Sequence, residues 1–328
     1  MNSSELASEM TDFVLKCTSI LTALVMVWYC CFSCESMTQF VRYLAKVDEV
    51  LFEEPKSPGL TYILGGVGLW LLRVGATSWA FSSWGYLDLS MVPLGLIILI
   101  LELVIVSLVQ EITRRYKTLN GTLVALQKRN KKKKQLGGFE ELSVGKLMKH
   151  DSKLAWGEVI EHKNGLDPLR IEGIREAHAY LADAYQELNS SLAVFMLFQL
   201  AFLFLTLLNS SVQFLQVCIS SKNSGNGASP CVGYALLVLD SLVRMTLITV
   251  ACDAVREEAE NTAEAAARLL RKTVDQDALR ELQILGSQVR ARKLGFWACG
   301  LFTVDRPLLF SICGAVTSYL FILSQLNK

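Results

Sequence analysis

Three histidines and six prolines are all that a chain of 328 residues contains. With so few imidazoles, and none at metal-ligand spacing, a histidine-based metal centre is not expected. The acids are scattered, with no paired carboxylates and no nucleophile beside a base, so neither enzyme chemistry nor a cofactor is expected. Charge of one sign is also missing. Lys and Arg number 32 against 31 Asp and Glu, a net of +1, which provides no field for nucleic acid. Cys31 and Cys34 make one CxxC, and no second one completes a zinc site among the nine cysteines. Residues 1–12 are polar and carry no basic n-region, so no secretory signal peptide is expected.

Apolar stretches dominate instead. The chain is 52% hydrophobic, too apolar for an ordinary soluble domain. Six stretches have the length of a membrane span: about 13–32, 60–82, 91–109, 192–215, 232–252 and 308–328. Lys16 lies near one end of the first and can snorkel to the interface. Cys30, Cys31 and Cys34 at the other end read as palmitoylation sites or as small apolar residues. Arg73 sits inside the second span, and Glu102 in the third is its obvious ion-pair partner; the alternative is a functional charge facing water. Trp79, Trp84 and Tyr86 read as interfacial aromatics or as the rim of a ligand pocket.

The segments between the spans are unequal. Arg114, Arg115, Lys117, Lys128, Arg129 and Lys131–Lys134 make residues 110–189 basic at the start, as in a cytoplasmic loop beside anionic lipid. Gly137 and Gly138 read as the middle of a disordered loop. Asp167 and Pro168 then start a helix. Its stripe Ile171, Ile174, His178, Leu181, Tyr185 and Leu188 runs without a breaker into the fourth span. His178 reads as a core residue rather than a ligand.

Asp240 and Arg244 lie one turn apart in the fifth span, as in an ion pair. That helix continues as a heptad-like seam through Val255, Ala259, Thr262, Ala266 and Leu269. Asp275 or Asp277 caps a further helix carrying Leu279, Leu282, Leu285 and Val289. Helices this long overshoot a bilayer and predict a bundle beneath it.

Charge bias sets the topology. Loops 110–189 and 253–307 hold most of the Lys and Arg and are expected in the cytoplasm. The turns at 83–90 and 218–231 and the C-terminus are expected outside. On that side a disulfide between Cys218 and Cys231 is chemically permitted. The protein is expected to be multi-pass in the plasma membrane.

The last span carries the most specific pattern. Asp305 can cap it and Pro307 suits its first turn. At 100° per residue, Ser311, Ser318 and Gln325 fall within about 40° of one another, flanked by Gly314, Ala315 and Ile322. Such a stripe packs closely against another helix or faces water in a pore. Ser318-Tyr319, five apolar or small residues and Gln325-Leu326 resemble the carboxy-terminal signature of insect gustatory receptors: Thr-Tyr, five hydrophobic residues, Gln-Phe. Residues 298–306 followed by Leu308-Leu309-Phe310 are similar to that family too, as are Leu44, Val47, Asp48 and Leu51 further upstream. Ser318 stands where Thr is usual and Leu326 where Phe is usual.

The resemblance implies an all-α, polytopic bundle and a taste receptor acting as a tetrameric ligand-gated cation channel. Its last helix, 308–328, would line the pore. Residues 1–252 would be the sensor region, including the loop and helix at 110–191, and 253–307 the anchor helices. Gln325 and Leu326 would form the gate, with Ser311, Ser318 and Ile322 along the pore. A small-molecule tastant would bind in the outer half of the spans, near Arg73, Trp79, Asn209, Gln213 and Asp240. Partners would be cations, monovalent or divalent, membrane lipid and further copies or related receptors. The family usually has seven spans and a cytoplasmic N-terminus. The six here match its last six, so the first is the one not found. A secondary transporter working through Arg73, Glu102, Asp240 and Arg244 is the alternative, although no internal repeat supports it. A non-conducting subunit is another. A G-protein-coupled receptor disagrees with the expected external C-terminus.

Overall fold

The computed structural model describes residues 34–51, 91–147, 168–224, 228–273, 275–292 and 294–326, together with residues 13, 17, 20, 21 and 24. The span at 60–82, with Arg73 and Trp79, lies outside the described residues, as does most of 13–32. Among the described residues, the elements with both ends described are, in order, α1 Cys34–Leu51, α2 Met91–Leu147, α3 Pro168–Ser224, α4 Ala228–Leu270, α5 Gln276–Ala291, β1 Trp297–Ala298, β2 Phe302–Thr303 and α6 Arg306–Leu326.

Three of these helices contain segments long and apolar enough to cross a membrane: Gly95–Lys128, Leu169–Cys218 and Cys231–Leu270. Each continues well past a bilayer's thickness. The 57 residues of α3 reach about 85 Å at 1.5 Å per residue. The expected loop around Gly137 and Gly138 is instead helical, because α2 runs through both to Leu147. Two glycines cost a helix only about 1 kcal/mol each, and the Lys, Gln, Leu and Glu around them are good helix formers.

Two apolar cores follow from the seams. In the first, Phe40, Leu44 and Val47 of α1 join Ile105, Val109 and Ile112 of α2, Leu181, Leu188 and Leu192 of α3, and Ile248 and Val255 of α4. In the second, Leu119 and Leu123 of α2, Ile171 and Ile174 of α3, and Ala266 and Leu269 of α4 surround α5. The α5 helix presents Ala278, Leu282, Leu285 and Val289, so Ala278 takes the inward position that Leu279 was expected to share. Asp275 caps α5 by accepting a hydrogen bond from the Asp277 N–H at 3.2 Å. A 16-residue helix is marginal alone, so this packing is what holds it.

Polar pins tie the long helices together. The Arg115 guanidinium of α2 donates two hydrogen bonds to Asp48 of α1, at 2.8 and 2.6 Å, and a third to Glu111 at 2.6 Å. Asn120 donates to the Glu258 carbonyl at 2.9 Å and accepts from Thr262 at 2.7 Å, which fixes α2 against α4. Arg175 of α3 holds Glu281 of α5 at 2.8 Å.

The hairpin is an element that the sequence reading did not foresee. Trp297 pairs with Thr303 and Ala298 with Phe302. Cys299 at φ 51° and Gly300 at φ 72° turn the chain, and the Leu301 N–H closes the turn on the Ala298 carbonyl at 2.9 Å. A glycine between two short apolar, β-prone runs was the available signal. The hairpin seats the start of α6 against α3. Gly295 N–H donates to Tyr185 Oη at 2.9 Å, Trp297 N–H donates to Asn189 at 3.0 Å, and Phe296 meets the Tyr185 ring edge-on at 4.9 Å.

His178 is a core residue, as expected, buried against the Tyr116 ring with centroids 6.1 Å apart. It lies about 21 Å along α3 from Leu192, outside the expected span. Burial first, and the neighbouring Arg292 guanidinium second, lower its pKa to about 4. A histidine neutral in the fold but ordinary when unfolded stabilises the fold above about pH 6.5, and that contribution fades as pH falls toward 4. The full loss is about 3 kcal/mol. Between pH 7 and pH 4.5 the melting temperature in detergent should therefore fall further for the native chain than for His178→Phe. Equal falls would remove His178 as the cause.

Candidate functional site

Helix α6 begins where Asp305 Oδ1 accepts from the Leu308 N–H at 3.3 Å, with Pro307 in the first turn. Its 21 residues rise about 31 Å, enough for one crossing of a hydrocarbon core. It rests on α4 and α3 through one face. Val316 is buried, and Leu308, Leu309 and Ile312 are half-buried against the first core. Ser311, Ser318 and Gln325 are all exposed. On a 100° wheel their line points about 135° away from the supported face. Phe310, Tyr319 and Ile322 are exposed beside them. The polar stripe therefore does not pack against any described helix of its own chain. Ser311 and Thr317 satisfy their hydroxyls on the carbonyls of Pro307 and Cys313, at 3.2 and 2.8 Å. Leu326 is the last helical residue.

The base of α6 is joined to α4 by charge. Asp253 of α4, nearly buried, pairs with Arg306 at 2.9 Å and with Arg256 of its own helix at 2.9 Å. Arg306 also reaches Glu257 at 3.4 Å, and Arg256 reaches Asp305 at 3.8 Å. These alternating charges connect the first residues of α6 to the middle of α4. The sequence reading missed this joint, since each charge looks like an ordinary solvated residue in one dimension.

A second cluster lies inside the apolar stretches. Arg244 of α4 grips Glu102 of α2 with two hydrogen bonds, at 2.7 and 2.8 Å, and both are buried. The Gln199 amide of α3 donates to the same carboxylate. Asp240 stands one turn from Arg244 at 3.7 Å, the spacing read from sequence. The partner chosen for Glu102 from sequence was Arg73, which lies outside the described residues; the structure brings Arg244 to it. Three helices thus meet on one carboxylate, and Asp240 is drawn into that network.

The remaining pocket candidates are Asn209 and Gln213 on α3 and Asp240 on α4, all half-buried. Cys218 and Cys231 also face each other, with sulfur atoms 2.7 Å apart. Because α3 and α4 run antiparallel from that contact, Asn209 and Asp240 each sit about 14 Å along their helices from the sulfurs, at one level. Among the described residues, no group of three or more His, Cys, Asp or Glu is placed to hold a metal ion.

Comparisons with known proteins agree with this architecture. The 7tm chemosensory receptor family matches residues 4–327. Gustatory receptor 68a of Drosophila melanogaster is 31% identical over 145 residues, which is 44% of this chain and 37% of that protein. Putative gustatory receptor 28b of the same fly is 39% identical over 72 residues, 22% of this chain and 15% of that one. The matched stretches thus span little more than a third of these relatives' length, or less. Among solved structures, the insect olfactory receptor OR5 from Machilis hrabei in complex with eugenol superposes with a TM-score of 0.52. It does so at 12% identity, over 99% of this chain and 89% of that one, a likeness of fold.

Proposed function

The chain belongs to the 7tm chemosensory receptor family, and from that membership we propose that it is a taste receptor that opens as a ligand-gated, non-selective cation channel. Four copies, or copies mixed with related receptors, surround a pore lined by α6. The observation that carries this reading is the serine–glutamine stripe of α6, turned away from the described helices of its own chain and suited to an axis shared with neighbours. Gln325 offers amide dipoles to a partly dehydrated cation, and Leu326 and Ile322 close the narrow part when it dries. Ser311 and Ser318 keep the path polar. With no acidic residue on the stripe, discrimination among monovalent cations is weak.

The chain lies across the plasma membrane with its basic segments and the α5 bundle in the cytoplasm and the end of α6 outside. Residues 1–252 sense, 253–307 anchor and 308–328 conduct. A small-molecule tastant binds in the outer half, near Asn209, Gln213 and Asp240, with Arg73 and Trp79 of the second span. Binding opens the pore to the extent that the tastant prefers the open arrangement. The charged joint at Asp253 and Arg306 is the direct link from α4 to α6.

The test is whole-cell current in cells expressing the chain, alone and with related receptors, against a panel of sugars and bitter compounds. The expected result is a ligand-evoked current that reverses near zero and is carried by sodium and potassium alike. Full surface expression with no evoked current in any combination would overturn the channel reading.

A further inference from the structure

We infer that Cys218 and Cys231 are joined by a disulfide that fixes the outer ends of α3 and α4. The two sulfurs lie 2.7 Å apart, and a small side-chain rotation brings them to the about 2.05 Å of a covalent bond. The juxtaposition has its own cause. Helices α3 and α4 pack against each other through the first core, with Leu203 of α3 and Met245 of α4 both buried there. That packing brings Cys218 and Cys231 to the same end of the pair.

The inference rests on the orientation proposed above, because disulfides persist on the exoplasmic side and not in the cytosol. The segment 218–231 carries a single basic residue, Lys222, against the many of the two long basic loops. The oxidant is a disulfide donor of the secretory pathway. One cysteine thiolate attacks the donor's disulfide, forming a mixed disulfide and releasing one donor thiol. The second cysteine thiolate then displaces the other donor thiol. Two protons and two electrons leave the cysteines, and the donor disulfide becomes two thiols.

The consequence is positional. Asn209 and Asp240 each lie about 14 Å along their helices from the sulfurs, so the bond fixes the relative height of two residues of the proposed tastant site. Reduction frees α3 and α4 to slide, and the ligand response shifts with them.

The experiment uses the full chain in intact cells with a membrane-impermeant maleimide, with and without an impermeant reductant. Neither Cys218 nor Cys231 should react before reduction, and both should react after it. Trypsin cuts after Lys222, so the peptides bearing the two cysteines should stay joined without reductant and separate with a gain of two hydrogens when reduced. Cys218→Ser should leave Cys231 reactive without reductant, and Cys231→Ser should do the same for Cys218. Labelling of both cysteines in unreduced intact cells would overturn the disulfide while leaving the orientation standing. Labelling only after permeabilisation would overturn the orientation, and the disulfide with it.

Discussion

Arg244→Ala should remove most of the protein from the cell surface. The Glu102 carboxylate is buried between α2, α3 and α4, and the guanidinium of Arg244 gives it two charge-assisted hydrogen bonds. Breaking a buried pair from one side costs about 3–5 kcal/mol, since the remaining charge is left without compensation. In hydrocarbon the stranded carboxylate has no water to turn to. A loss of that size is a large fraction of the about 5–15 kcal/mol that holds a typical domain together. Glu102→Ala should also be harmful, because it leaves Arg244 with the more distant Asp240 at 3.7 Å and takes the acceptor from the Gln199 amide. The double variant Glu102→Leu, Arg244→Leu should recover part of the loss, as apolar replacements of buried pairs often do. Surface biotinylation and detergent melting of the four proteins separate the cost of breaking the pair from the cost of replacing it. If Arg244→Ala reaches the surface at native levels and melts at the native temperature, the cluster is not structural.

Gln325→Lys should nearly abolish cation current while leaving folding intact. The side chain is exposed on α6 and packs against none of the described helices. A cation passing about 4 Å from one ammonium, at an effective dielectric of about 20, meets about 4 kcal/mol of repulsion. That is roughly a thousandfold in rate for a single charge, and a tetramer would present four. Gln325→Glu should act the other way and favour divalent over monovalent cations. The readouts are evoked current and reversal potential at matched surface expression. Lys and Glu variants with native conductance and selectivity would take Gln325 out of the pore.

Much of the fold was legible in one dimension because helices announce themselves by period. The stripe from Ile171 to Leu188 is buried residue for residue, and so is the seam from Val255 to Leu269. Asp275 and Asp305 cap the helices expected of them. Glycine was the misleading signal at positions 137 and 138, where surrounding helix formers prevail. The hairpin at 297–303 was hidden for the opposite reason. Two residues per strand are too few to show an alternation, and its stability comes from Tyr185 and Asn189 of a helix more than a hundred residues earlier.

The candidate site divides the same way. The sequence by itself determined that the chain is a set of membrane-length helices, which sides of them are basic, and which residues of the last helix form a polar line. Those are properties of composition and of a fixed 100° step, and they need no partner. It also carried the signature at Ser318, Tyr319 and Gln325. Only the tertiary structure decided where that line points, because the direction of a stripe depends on which face Leu308, Ile312 and Val316 bury. It alone chose Arg244 as the partner brought to Glu102, joined Asp253 to Arg306 and placed Cys218 against Cys231. Each of those pairs is set by how separate helices lie against one another, and contact between distant segments is a fact of packing that no local pattern encodes.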